Sequence, residues 1–385
     1  MKNDLLLSIV VPTKNRYEYL FQLMDLLATF ESQEFEMVIQ DNSDDNSEFT
    51  NKVNLDNYPF INYFYQKAPL SQSGNSDKSI LNSRGEYVCF IGDDDGVTRS
   101  IIDVVKWMKK ENYSILKSAL TVYKWPSFIS EKHYDVSSSL LFNPYSKTYR
   151  EVECLQALTS LLKSGMDTLA NMPKVYNGIV KRSVLDAIYS QCGTFFPGPS
   201  PDMANAVALA LVEDKYVYVD FPIIIGGHSV NLGANAARYK RGLGPLEEQK
   251  FIDQKYKDGW SKRIPKVWAS QTVWPESALT ALNAYSANTY LQMVDYEIIL
   301  KKFANSHPDY FRLAYALSHS RLKLTLYFLI RRMVGPFLAL KKFIAYKKSN
   351  KYGGLEIHRG YFNIMNAERL LMNETGGGFK ELKKA

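Results

Sequence analysis

The chain has 385 residues, 46 % of them hydrophobic, and a formal net charge of +7. That is enough apolar material for a sizeable core and enough length for two domains, or one domain with an appendage, so wholesale disorder is excluded. Its three cysteines, Cys89, Cys154 and Cys192, form neither a zinc pattern nor a disulfide framework and fit a reducing compartment.

No secretory leader is expected, because the apolar run at residues 5–11 is short and ends in Thr-Lys-Asn-Arg. No uninterrupted apolar run reaches the roughly 18 residues of a spanning helix. The charge is uneven. Residues 301–348 hold eleven Lys and Arg against the single acid Asp309, which leaves the rest of the chain near −3. This asymmetry predicts an anionic partner surface for the C-terminal part.

In chain order, residues 5–11 read as a strand buried on both faces. Residues 17–30 place Leu20, Leu23, Met24 and Leu27 at helical spacing. Strands follow at 35–40, 61–65 and 87–91, and helices at 75–84, stopped by Gly85, and at 99–111. This alternation predicts a mainly parallel sheet. Residues 124–150 read as a long loop, and 151–163 as a helix. A strand is expected at 175–180, and a Pro- and Gly-rich loop at 193–201. Asp202 opens the next helix, a strand spans 216–226, and the chain beyond 235 is mostly helical. The expected fold class is therefore α/β, with a Rossmann-like sheet domain over 1–234 and a helical C-terminal region over 235–385.

In parallel sheets, ligands bind beyond the carboxyl ends of the strands. Three polar clusters fall there: residues 13–16, residues 41–43, and the triplet Asp93, Asp94 and Asp95. Three adjacent carboxylates repel one another, and a divalent cation, Mn²⁺ or Mg²⁺, is the usual compensation. Such an ion would neutralise charge developing on a leaving diphosphate.

The segments Ser8-Ile-Val-Val-Pro-Thr-Lys-Asn-Arg16, Asp41-Asn-Ser43 and Asn82-Ser-Arg-Gly-Glu-Tyr87, leading to Gly92-Asp-Asp-Asp95, resemble family-2-type GT-A glycosyltransferases. The resemblance covers roughly residues 5–230. It implies an inverting transferase, hexosyl- or N-acetylhexosaminyl-type, that uses a nucleotide-sugar and a divalent cation. Pro12, Thr13, Asn15 and Arg16 then match the loop that cradles the nucleotide, although Thr13 or Asn15 also suits a helix N-cap. Asp41 matches the carboxylate that receives a base N–H. A carboxylate only accepts, which suits the imide of uracil or thymine. Asn75 and Asn82 lie in the segment flanking the nucleotide. In the triplet, the resemblance places Asp93 near the ribose, Asp94 toward the sugar and Asp95 on the metal.

Two further positions carry over. Asp202 lies 107 residues after Asp95 at a helix start, where relatives place the acidic pair holding the general base. Pro201 stands where a second acid is usual, and Asp202 is also a good N-cap, so both readings stand. His228 follows 26 residues later, where metal-dependent relatives carry a histidine that ligates metal or touches diphosphate. Ser229, Asn231 and Arg238 share that stretch.

The expected donor is a UDP- or dTDP-sugar, and the expected acceptor a hydroxyl of a glycan or lipid-linked molecule in surface polysaccharide synthesis. The apolar segments 322–330 and 334–340, interrupted by Arg331-Arg332 and followed by Lys pairs, fit a basic helix on anionic lipid or a core helix with a solvated face. Nucleic acid is not expected, since no recognition motif is present. The implied location is cytoplasmic, peripheral to the membrane. A sugar-nucleotide nucleotidyltransferase is the alternative enzyme, but it calls for a Gly-rich phosphate loop and residues 11–20 contain no glycine. A non-catalytic nucleotide-sugar or membrane-surface binding protein is the other alternative, and the intact acidic residues argue against it.

Overall fold

The structure is a computed structural model, and it describes residues 5–67, 70–129, 134–169, 171–230, 243–249 and 252–385. The first strand, β1 (Leu7–Thr13), lies in the interior of a nine-stranded sheet, and side chains on both its faces are apolar. Alternate residues feed two separate cores. Leu7, Ile9 and Val11 join one cluster with Leu20 and Leu23 of helix α1 (Tyr17–Ala28), whereas Val10 joins the other. The same alternation runs through β2 (Phe35–Asp41), where Met37 and Ile39 face one core and Val38 the other. Each such fully buried side chain contributes about 1.5–3 kcal/mol. The sheet is therefore sandwiched between two helical layers.

After α2 (Ser47–Lys52), strand β3 (Ile61–Tyr65) pairs parallel to β2. Helix α3 (Gln72–Leu81) leads to β4 (Tyr87–Phe90), which pairs parallel to β1 on its other side. Register aligns Thr13 with Asp41 and Asp41 with Tyr65, so the carboxyl ends of β1, β2 and β3 form one rim. Gly85 does not stop α3, which already ends at the cap residue Asn82. A Cβ on Gly85 would fall 2.5 Å from the Ser8 nitrogen, so glycine is required there by the close approach to β1.

Past β5 (Gly96–Val97) and helix α4 (Ile101–Lys110), β6 (Ile115–Ser118) extends the sheet. The segment expected as one long loop instead holds β7 (Val122–Lys124), β8 (Ser139–Phe142) and the start of β9 (Thr148–Glu153), ahead of α5 (Cys154–Lys163). The strand expected at 175–180 shrinks to β10 (Ile179–Lys181), antiparallel to both β4 and β6. Helices α6 (Arg182–Cys192) and α7 (Pro201–Val212) follow. The single strand expected at 216–226 is two, β11 (Lys215–Val219) and β12 (Ile224–His228), because Pro222 between them has no N–H to donate to a ladder.

The large sheet has the order Lys383–Lys384, β9, β11, β6, β10, β4, β1, β2, β3 and is mainly parallel. A six-stranded sheet contains β8, β7, β12 and β5, extended by strands Lys351–Tyr352 and Leu355–Arg359. The C-terminal region is mostly helical, with helices at Ser270–Ala284, Tyr296–Ser306, Arg321–Ser349 and Ile364–Glu374. Its last helix returns to the sheet domain, where Ile364 packs over Gly96 and Glu368 pairs with Arg99. Among the described residues, no helix is long and apolar enough to cross a membrane.

Candidate active site

The acidic triplet sits in the turn between β4 and β5, and all three side chains are buried. Burying adjacent carboxylates requires compensation, and here much of it is a protein cation. One Arg16 guanidinium nitrogen lies 2.9 Å from Asp93, and another lies 2.7 Å from Asp94. Arg16 also donates to the Ser229 hydroxyl at 2.7 Å, and Ser229 in turn donates to Asp94 at 2.8 Å. Thr13 donates to Asp93 at 2.7 Å. Two members of the expected cradle loop thus meet the triplet directly. Arg16 is also the N-cap residue of α1 and makes no side-chain cap, so neither Thr13 nor Asn15 caps that helix.

Asp95 is held by backbone. It accepts from the Gly92 N–H at 2.7 Å and the Gly227 N–H at 2.6 Å. Burial and the Asp94 charge push Asp95 up to about 7; burial chiefly does the same to Asp93, against the pull of Arg16. Asp95 and Asp202 act on one shared cation, Lys174, whose pKa burial lowers while both carboxylates raise it. Asp202 in turn is raised by burial and drawn back by Lys174. Asp202 is not the N-cap of α7. Ser200 takes that position, Pro201 opens the helix, and Asp202 makes no cap bond.

The other expected residues are distributed around this centre. Asn15 has φ +56°, in the left-handed region that asparagine tolerates. Its backbone N–H donates to Ser43 at 2.8 Å, and its side chain exchanges bonds with Asp44. Pro12 lies in β1 just before the loop. Asp41 is fully buried and accepts from the Tyr17 hydroxyl at 2.6 Å, the Tyr63 hydroxyl at 2.7 Å and the Ser43 N–H at 2.8 Å. Asn82 donates to Gln40 at 2.9 Å, tying α3 to β2. Asn75 presents a buried side-chain oxygen with no hydrogen-bond partner, as does the Arg16 Nε. Unpaired buried polar atoms beside a cleft are costly, and a ligand can satisfy them.

His228 ends β12, beside the Gly227 that holds Asp95. Its Nδ1 lies 2.6 Å from the Lys124 ammonium. An ammonium only donates, so Nδ1 accepts and Nε2 carries the proton in this arrangement. An imidazole so arranged offers an N–H to an anion and no lone pair to a metal. Among the described residues, no group of three or more His, Cys, Asp or Glu converges as a metal site. Of the triplet, Asp95 is the member that Arg16 does not pair. It is a buried carboxylate disfavoured in its charged form, and each of its oxygens retains an acceptor position beyond the bond it takes from backbone N–H. Asn231 and Arg238 lie outside the described residues.

Sequence reading missed Lys174, Tyr176, Lys124 and the two tyrosines on Asp41. The only signal for the first pair is the polar run Lys174-Val-Tyr176-Asn177 before Gly178, where a Cβ would fall 2.0 Å from the Lys174 carbonyl.

Residues 8–163 match the family model Glycosyl transferase family 2. A curated relative, the GalNAc(5)-diNAcBac-PP-undecaprenol beta-1,3-glucosyltransferase of Campylobacter jejuni, is 22 % identical over 271 residues, covering 69 % of this chain and 79 % of that protein. Among solved structures, S. aureus TarS 1–349 in complex with UDP-GlcNAc is 14 % identical, over 92 % of this chain and 97 % of that one, with a TM-score of 0.47. The chain spans 56 % of a longer TarS structure. The mannosyltransferase PcManGT from Pyrobaculum calidifontis, in complex with GDP-Man and Mn²⁺, is also 14 % identical, over 84 % of this chain and 86 % of that one, with a TM-score of 0.39. The family match begins on β1 and includes the acidic triplet, so residues 8–163 carry the glycosyl transferase family 2 pattern, and with the curated relative it supports a GT-A fold and glycosyl transfer.

Proposed function

We propose that this glycosyltransferase moves a hexosyl or N-acetylhexosaminyl group, with inversion, from a UDP- or dTDP-sugar to a hydroxyl of a glycan or lipid-linked acceptor. The observation that supports the reading best is the buried acidic triplet at the carboxyl end of β4, bridged by Arg16 and held through Asp95 to the Gly227 N–H beside His228. It sets carboxylates, a guanidinium and an imidazole together where a nucleoside diphosphate would lie, and Asp202 at the start of α7 is the carboxylate the reading assigns as base. The acceptor class follows the Campylobacter relative, whose name specifies an undecaprenol-linked substrate. Surface polysaccharide synthesis at the cytoplasmic face of a membrane is the setting consistent with it.

In this mechanism Asp202 takes the proton from the acceptor hydroxyl. The acceptor oxygen bonds to the anomeric carbon as the bond from that carbon to the diphosphate oxygen breaks, and the electron pair leaves with the nucleoside diphosphate. Burial keeps the Asp202 pKa high, which makes it a stronger base. Arg16 and the Nε2–H of His228 face the anionic leaving group, with Lys124 holding the histidine tautomer. Asp41 presents its remaining acceptor position to a base N–H, and Asn75 lies beside the nucleotide. Asp95 would hold Mn²⁺ or Mg²⁺ jointly with diphosphate oxygens, and the ion would supply Lewis-acid stabilisation of the departing charge. His228 would join as a ligand only after releasing Lys124.

The test is a donor screen with Mn²⁺ present, reading thermal stabilisation by UDP, dTDP and GDP and then hydrolysis of their sugar conjugates. UDP or dTDP should stabilise most. Asp202→Asn should abolish transfer and leave nucleotide stabilisation intact. Wild-type transfer by Asp202→Asn overturns the assignment of the base, and preference for GDP overturns the reading of Asp41.

A further inference from the structure

The 29-residue helix Arg321–Ser349 is exposed along most of its length, with Leu324 and Tyr346 its buried residues. Those two side chains lie near its ends and pack into different clusters. Leu324 joins Leu300, Phe303 and Ala314; Tyr346 joins Val122, Leu141 and Ile357. The helix is therefore a strut pinned at both ends along one face. The spacing of 22 residues between the pins keeps them on that same face.

The opposite face is apolar and open. Leu322, Leu326, Met333, Phe337, Leu340 and Ile344 recur at intervals of three, four or seven, so they share one side of the helix, before and after Pro336. Leu322 is 82 % exposed, Met333 72 % and Phe337 74 %. The stripe runs about 33 Å at the α-helical rise. Lys323, Lys341 and Lys348 lie along one edge and are exposed, and the whole helix carries eight Lys and Arg with no acid. A core helix with a solvated face would show the reverse: its apolar stripe would be the docked face.

We propose that this stripe is the membrane-contacting surface, lying in the plane of an anionic lipid bilayer with its pinned face toward the protein. The charge decides between occupants. A second copy of the helix would set one acid-free basic strip against another, and like charges in juxtaposition oppose docking. A surface of anionic headgroups over acyl chains complements both the lysines and the stripe. Arg331 and Arg332 in the middle keep the helix in the interface rather than across it.

The surface also connects to the site. Beside the docked Tyr346, Tyr134 stacks edge-on at 4.8 Å and touches Tyr352 at 5.3 Å. The Lys124 ammonium lies 5.8 Å from the Tyr352 ring and holds His228. The helix's C-terminal pin is thus linked through aromatic contacts to the residues beside the acidic triplet, the side to which a membrane-borne acceptor would need to come. This last step rests on the lipid-linked acceptor of the proposed function; the docking surface does not.

The experiment compares wild type with the triple variant Leu326→Ser/Met333→Ser/Phe337→Ser. These residues are exposed, so the variant should keep the wild-type melting temperature and UDP stabilisation. Sedimentation with phosphatidylcholine vesicles, with and without phosphatidylglycerol, is read at low and high salt. Wild type should pellet with the anionic vesicles, weaken at high salt, and lose at least about tenfold in partitioning in the triple variant. Equal pelleting of the two proteins overturns the proposal. So does no pelleting of wild type, or a wild-type dimer in sedimentation velocity that the variant dissolves. Donor hydrolysis measured without vesicles separates the two readings: hydrolysis without vesicle binding removes the surface alone, and vesicle binding without hydrolysis or transfer removes the proposed function alone.

Discussion

Gly227→Ala tests the closest approach in the site. A Cβ at this position would fall 1.6 Å from the Asp94 carbonyl oxygen and 2.4 Å from its carbon. An ordinary carbon–oxygen contact is about 3.3 Å, so β12 and the acidic turn must separate by about 1.7 Å. The 2.6 Å bond from the Gly227 N–H to Asp95 cannot survive that shift. Losing a hydrogen bond to a charged group costs about 1.5–3 kcal/mol, and overpacking costs about 1–3 more. For 385 residues, about 2.1 cal/mol/K of unfolding entropy per residue turns a loss of about 4 kcal/mol into a drop of about 5 °C in melting temperature. An ångström-scale displacement of Asp95 should also lower transfer about 100-fold. Gly226→Ala is the control, because its Cβ would meet its nearest neighbour at 3.5 Å, an ordinary contact. Thermal melts and transfer assays on both variants decide the matter. If the two melt and transfer alike, β12 does not press on the triplet and the geometry argued for Asp95 is wrong.

Lys174→Met removes the cation that draws the Asp202 pKa down, so the rising acid limb of the kcat/KM profile should move to higher pH; a limb that stays in place would detach Lys174 from Asp202. Glu276 is buried in the helix Ser270–Ala284, and burial pushes its carboxyl up to about 7 although the Ser261 N–H reaches both oxygens at 3.1 Å. Its folded pKa lies above the ordinary glutamate value of 4.5, so the native state binds the extra proton and stability falls as pH rises from about 4.5 through 7. Glu276→Gln should therefore melt near wild type at pH 5 and above it at pH 8, and equal melting at both would refute the shift.

The parallel part of the sheet that carries the site was readable because β1, β2 and β4 are short apolar runs flanked by turn residues, with both faces buried. The segment 124–150 was not, because β8 is four residues long and its partners include Leu355–Arg359, more than two hundred residues away. Local pattern carries no trace of such a pairing. The site divided in the same way. The triplet stands out by residue type and its place after a strand, and Asp202 and His228 are picked out by their spacing in the family resemblance. Lys124 beside His228 and the two tyrosine hydroxyls on Asp41 are products of packing between distant segments. The sequence argument assigned compensation of the triplet to a metal ion, since nothing marks residue 16 as the neighbour of residues 93 and 94.

That neighbour changes what the triplet demands. Arg16 is mostly buried, touches Asp93, Asp94 and Ser229, and stacks over the Tyr19 ring at 5.2 Å. It is therefore a fixed counter-ion first and a nucleotide contact second. Removing one partner of a buried ion pair costs about 3–5 kcal/mol, because a buried charge is left alone. Arg16→Met should lose that much stability. Arg16→Lys should lose much of it too, since a single ammonium cannot reproduce the fork that spans two carboxylates. Combining Arg16→Met with Asp93→Asn removes one of the orphaned charges and should recover part of the loss. If Arg16 instead served only the nucleotide, Arg16→Met would melt like wild type without UDP and lose only the stabilisation that UDP adds. Melts of the three variants with and without UDP separate these cases, and an unchanged ligand-free melt for Arg16→Met would refute the counter-ion role.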